Sequence, residues 1–168
     1  MFRLDKLTQK AQEAVQQAQA VAEKNENQVI FPLHLLIALA QEKEGIVRPV
    51  LEKAGVHPDA IVTEAQRLLA SVPKATGMQP GMYLSQPLNQ VLERAFDEAT
   101  RFKDEFVSTE HLLLSLTEQR GDPAGQLVER EERPGDQEHR CEQAALPVGE
   151  ALDRLRLGGD EDAERRPA

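Results

Sequence analysis

A chain of 168 residues has room for one ordinary domain or for two small halves that share a core. Its 20 basic against 29 acidic residues leave a net charge of −9, with no Lys/Arg-rich stretch free of acids, so neither a nucleic-acid surface nor an anionic-membrane surface is expected. The single cysteine, Cys141, has no internal disulfide partner and the N-terminal MFRLDKLTQKAQEAV has no apolar run behind a basic start, which together predict a cytoplasmic protein without a secretory signal.

The first predicted element is an amphipathic helix, because Leu7, Ala11, Ala14, Val15, Ala18, Val21 and Ala22 recur at three- and four-residue steps with Gln and Lys on the opposite face. The second begins at Pro32, whose missing N–H suits a first helical position and makes Phe31 the cap. Leu33, Leu35, Leu36, Ile37 and Leu39 are apolar nearly all round that helix, which predicts burial. A third helix over about residues 46–54 stops at Gly55. A fourth starts at Pro58, with Ile61, Ala65, Leu68 and Leu69 on one side. Residues 71–83 carry two prolines and two glycines and read as a linker.

Beyond the linker the pattern starts again. Leu84, Leu88, Val91, Leu92, Ala95 and Ala99 repeat the first amphipathic helix, and Ser108 is the predicted cap of a second apolar helix. FPLHLLIAL at residues 31–39 returns as STEHLLLSL at 108–116, and a shift of 77 positions lays residues 7–51 on 84–128 without a gap. His34 then meets His111, and the two apolar helices are expected to pack against each other across a pseudo-twofold axis. No segment has a strand period, so the predicted fold is all-α: two four-helix repeats, the second incomplete. The predicted organisation is repeat 1 over 1–70, linker 71–83, repeat 2 over 84–128 and a tail over 129–168.

The repeated segments resemble the double Clp repeat at the N-terminus of Clp/Hsp100 chaperones, over about residues 1–128. Within that family Val29-Ile30-Phe31-Pro32-Leu33-His34-Leu35-Leu36 is most similar to the ClpB-type disaggregases. Where other members carry Thr-Glu-His in both copies, this chain has Glu110 but Leu33 at its counterpart, so a mode needing two symmetric glutamates, such as phosphoarginine binding, is not expected. The resemblance implies a module that engages exposed apolar or unfolded segments of client proteins for an ATPase ring, with a full-length Clp/Hsp100 ATPase as the accompanying partner. The groove residues it implies are Thr8, Asp104 and Glu110, a hydroxyl and two carboxylates suited to the amides of an extended peptide. Two of them also have a structural reading, Thr8 as a cap and Glu110 as a helix-dipole partner.

Catalytic signatures are missing from the sequence. Nothing matches G-x-x-x-x-G-K-[ST], so no ATP hydrolysis and no cofactor are expected. His34, His57, His111 and His139 form neither H-E-x-x-H nor, with Cys141, a C-x-x-C-type site; no metal site is predicted, and His34 and His111 are read as hydrogen-bonded first-turn residues. His139 and Cys141 stand two apart, a spacing that does not bring side chains together on a helix, which sets aside a Cys/His hydrolase.

After Val128 the repeat is lost, and from residue 129 onward there are twelve acids, seven arginines and no lysine. Such a segment is expected to be disordered, apart from a short helix near 149–157 where Leu152, Leu155 and Leu157 cluster. Two origins fit it: a shifted reading frame in a ClpB-like chain, or an acidic segment of a standalone adaptor that docks on a chaperone ring.

Overall fold

The computed structural model describes residues 4–74, 82–119 and 121–130. The expectations for most of the tail, for the helix near 149–157 and for His139 and Cys141 lie outside the described residues, as does most of the 71–83 linker.

A single 3-10 turn at Leu4–Lys6 leads into α1 (Gln9–Lys24), β1 (Val29–Ile30), α2 (Pro32–Gln41), α3 (Val47–Lys53) and α4 (Pro58–Ala70). The second copy follows with β2 (Tyr83–Leu84), α5 (Gln86–Arg101), α6 (Thr109–Thr117) and α7 (Pro123–Arg130). The helices stand where the periodicity predicts them. Phe31 and Ser108 are the N-caps of α2 and α6, and α3 stops as predicted, with Ala54 as cap and Gly55 at φ 82°. The 77-residue shift carries α3 onto α7, so the second copy retains counterparts of the first three helices and the last of them runs two residues into the predicted tail.

α2 and α6 are the centre of the molecule. Nine of the ten residues of α2 are buried, and Leu35, Leu36, Ile37 and Leu39 share one core with Leu112, Leu113 and Leu116, all within 1% of complete burial. Each such side chain contributes about 1.5–3 kcal/mol on leaving water, so this pair of helices carries much of the fold. α1 closes against α2 through small residues, Ala11, Ala14, Ala18 and Ala22, which let the two helix axes approach. α5 does the same for α6 with bulkier ones, Leu88, Val91 and Leu92.

The short strands cross between the copies. β1 pairs in parallel with β2, Val29 opposite Tyr83 and Ile30 opposite Leu84, with Tyr83 N–H bonding Gln28 O at 2.9 Å and Ser85 N–H bonding Ile30 O at 3.0 Å. The mirror arrangement joins Leu7 to Val107, with Val107 N–H on Lys6 O at 2.8 Å and Thr8 N–H on Val107 O at 2.9 Å. Residues 7 and 84 are repeat partners, as are 30 and 107, so each copy's entry to its first helix is paired with the other copy's entry to its second. Two residues are too few to leave a strand period in the sequence, which is why the helical reading passed over them.

Candidate functional site

The two histidines are built into identical local frames. α1 ends with Glu26 N–H bonded to Glu23 O and Asn27 N–H to Ala22 O, and α5 ends with Lys103 N–H on Thr100 O and Asp104 N–H on Ala99 O. These are the paired 5→2 and 6→1 bonds of a left-handed helix stop, and Glu26 and Lys103 accordingly take positive φ, 58° and 61°. The turn delivers the next side chain, Asn27 or Asp104, to the histidine of the following helix. Asn27 Oδ1 lies 3.2 Å from His34 Nε2, and Asp104 Oδ2 lies 3.1 Å from His111 Nε2.

The other ring nitrogen caps the helix it belongs to. His34 Nδ1 accepts from the Phe31 N–H at 2.9 Å, and His111 Nδ1 accepts from the Ser108 N–H at 3.0 Å. A ring that accepts at Nδ1 carries its proton on Nε2, so the second contact is a donation to the Asn or Asp oxygen. With both nitrogens of His34 engaged inside the core, no lone pair is left for a metal. Burial pushes the His34 pKa down to about 4.

Thr8 lies on the seam where the chain entering α1 runs beside the chain entering α6, and Asp104 and Glu110 stand three residues to either side of Val107, its backbone partner there. Thr8 caps α1, its Oγ1 accepting from Ala11 N–H at 3.2 Å, while its own N–H reaches across to Val107. Asp104 holds His111 yet keeps 41% of its side chain exposed. Glu110 accepts a hydrogen bond from the Ser108 hydroxyl, which lies 2.9 Å from His111 Nδ1. Each of the three therefore combines a structural task with a place on or beside this seam.

Two further residues complete the seam and were not singled out from the sequence. Phe106 is 44% exposed, one of two large hydrophobic side chains left open among the described residues, the other being Tyr83. Lys6 Nζ sits 5.7 Å from the Phe106 ring centre, a cation over an aromatic face. The signal was present in the repeat: Phe106 stands where the first copy has the smaller Val29, and Lys6 where the second copy has Tyr83. The result is an exposed aromatic ring with an ammonium over it, on the segment that also carries Asp104 and Glu110.

Comparison with known proteins places this architecture. A profile described as "Clp repeat (R) N-terminal domain" matches residues 6–130, and the chain belongs to that family. Its sequence relatives are ClpB proteins, and its fold is that of the Hsp104 and ClpV N-terminal domains. Chaperone protein ClpB of Bacillus cereus is 35% identical over 122 residues, 71% of this chain and 14% of that protein. ClpB of Mycobacterium leprae is 42% identical over 109 residues, 65% of this chain and 13% of that protein, so the chain matches a small part of these relatives. The Hsp104 N-terminal domain of Candida albicans superposes with a TM-score of 0.69 at 21% identity, covering 91% of each chain, a likeness of fold.

Proposed function

We propose that this chain is a non-catalytic polypeptide-binding module that holds exposed apolar or unfolded segments of client proteins at the Lys6–Thr8 and Phe106–Glu110 seam, on behalf of a Clp/Hsp100 ATPase ring. The observation that carries this reading is Phe106, an aromatic side chain left 44% exposed two residues from the exposed carboxylate of Asp104. An extended segment laid along the seam buries an apolar side chain against Phe106 and offers its backbone amides to Asp104 and Glu110. The acidic overall charge and the absence of a helix long and apolar enough to cross a membrane, among the described residues, are in keeping with a client met in water.

The test is binding of a reduced, carboxymethylated and permanently unfolded protein, followed by fluorescence anisotropy. Phe106→Ser removes the apolar contact without touching the core and is expected to weaken binding about tenfold. An unchanged affinity in Phe106→Ser, with the melting temperature preserved, would move the client site elsewhere.

A further inference from the structure

The duplication allows one copy to be compared with the other, and the two differ sharply at the cleft between the first and second helices. In the second copy that cleft is bridged by side chains of its own. Arg94 Nη1 reaches the Glu118 carbonyl at 3.0 Å, and the neutral amide of Gln119 bonds that of Gln90 at 3.0 Å. In the first copy Gln17 stands at the position of Arg94, while carboxylates replace both amides: Glu42 for Gln119 and Glu13 for Gln90.

An open cavity of about 440 Å³ results, lined by Lys10, Glu13, Gln17, Gln41 and Glu42 over a floor of Ala14 and Ala38. Lys10 Nζ lies 3.2 Å from Glu42 Oε1 and 3.9 Å from Glu13 Oε2, one ammonium between two carboxylates. Gln9 Nε2 donates to the other Glu13 oxygen at 3.1 Å. Both Glu42 oxygens are closed off from water, and neither receives a well-directed hydrogen bond. Gly45 leaves them room, since a Cβ there would lie 2.7 Å from the carboxylate. The cleft also lies at the C-terminal end of α2, the negative end of the helix dipole.

We infer that the α1–α2 cleft of the first copy is a receptor for an arginine side chain of a bound polypeptide. The second copy's Arg94 supplies the template: a guanidinium that donates to the carbonyl at the C-terminal cap of the second helix. The first copy keeps that carbonyl, at Gln41, removes the resident arginine and adds negative charge. An entering guanidinium donates to the Gln41 carbonyl and to the Glu13 carboxylate, and its charge balances the carboxylate that Lys10 leaves unmatched. Its methylenes lie on Ala14 and Ala38. The inference rests on the polypeptide-binding reading only in that the arginine belongs to a polypeptide; the cleft is distinct from the Phe106 seam.

The whole chain, labelled with nitrogen-15, is titrated with the capped pentapeptide Gly-Ser-Arg-Ser-Gly and with the same peptide carrying uncharged citrulline. The arginine peptide is expected to shift the backbone amides of Glu13, Gln17 and Gln41 saturably, and the citrulline peptide to leave them in place. Gln17→Arg rebuilds the second copy's resident arginine in the first, and should weaken the peptide about tenfold or more while the protein stays folded. Equal shifts from both peptides, or an undiminished response in Gln17→Arg, would overturn the inference. Unfolded-protein binding is measured on the same variant. If it survives while the peptide is lost, two separate surfaces are at work; if both are lost together, the claim of a distinct site fails.

Discussion

Asp104 is to the second copy what Asn27 is to the first: an accepting oxygen 3.1 Å from a buried histidine Nε2, against 3.2 Å for the amide. The two differ in charge and in burial, Asn27 being buried and Asp104 exposed. A carboxylate half open to solvent does the work of a neutral amide at a position where the duplication itself shows that the amide suffices.

That equivalence separates structure from binding at Asp104. Asp104→Asn reproduces the first copy's arrangement and is expected to hold stability within about 1 kcal/mol, whereas Asp104→Ala strands the His111 Nε2 proton and costs about 1–3 kcal/mol. Urea unfolding of the two variants checks this. The Asn variant is then the proper probe of the carboxylate's part in client binding, because any loss of affinity there is not a loss of fold.

Acid should loosen the first copy through His34. Its pKa is about 4 in the folded protein and near 6.5 once unfolded, so below 6.5 the unfolded chain takes up a proton that the native ring refuses. The stability it contributes is complete above pH 6.5 and is lost as pH falls toward 4, by up to about 3 kcal/mol. Melting curves between pH 7 and 4 should show a steeper decline for the parent than for His34→Gln, which has no proton to gain. Parallel slopes would remove His34 from the acid response.

Thr8 makes a third case. Thr8→Ser keeps the oxygen that accepts from Ala11 N–H and should leave the melting temperature nearly unchanged, while Thr8→Ala should cost about 1 kcal/mol. Client affinity of the Ser variant equal to the parent's fits a hydroxyl acting on a peptide amide; a drop with stability preserved assigns the role to the Thr methyl group.

Gly125 in α7 sits close against backbone. A Cβ there would lie 2.8 Å from the Gln119 carbonyl and 2.9 Å from that of Leu116, both of them backbone. Alanine favours a helix over glycine by about 1 kcal/mol, yet neither carbonyl can yield easily, so Gly125→Ala is expected to destabilise by about 1–3 kcal/mol. Calorimetry reads the sign directly.

The helices, their caps and the pseudo-twofold were legible because they repeat: a 3.6-residue period written twice at the same spacing is hard to misread. The histidines' satisfied state was legible too, and the same shift pairs Asn27 with Asp104, although only the geometry reveals that both serve the ring nitrogen. The crossed strands were not legible, since two residues carry no period and their pairing is set by tertiary packing. Nor was Phe106, whose exposure depends on which side of a bridge it occupies, a choice made by the opposite copy. The cleft at Glu42 required knowing that Arg94 folds back over Glu118.

The crossed strand pairs have a further consequence. With the edge of residues 29–30 completed by 83–84 and that of residue 107 completed by residue 7, each half of the molecule lends the other the backbone partners it lacks. Neither repeat is then a closed folding unit, and a chain carrying one repeat has two unpaired edges, the entry to its first helix and the entry to its second, each shaped to accept the other one from a second molecule. Two such half-chains meeting in solution would rebuild the arrangement with a true twofold axis, the symmetry from which a fused duplicate descends. Once fused, each half's edge is held through the backbone of the other, so the side chains along it are free to differ between the copies, as Phe106 differs from Val29 and Lys6 from Tyr83.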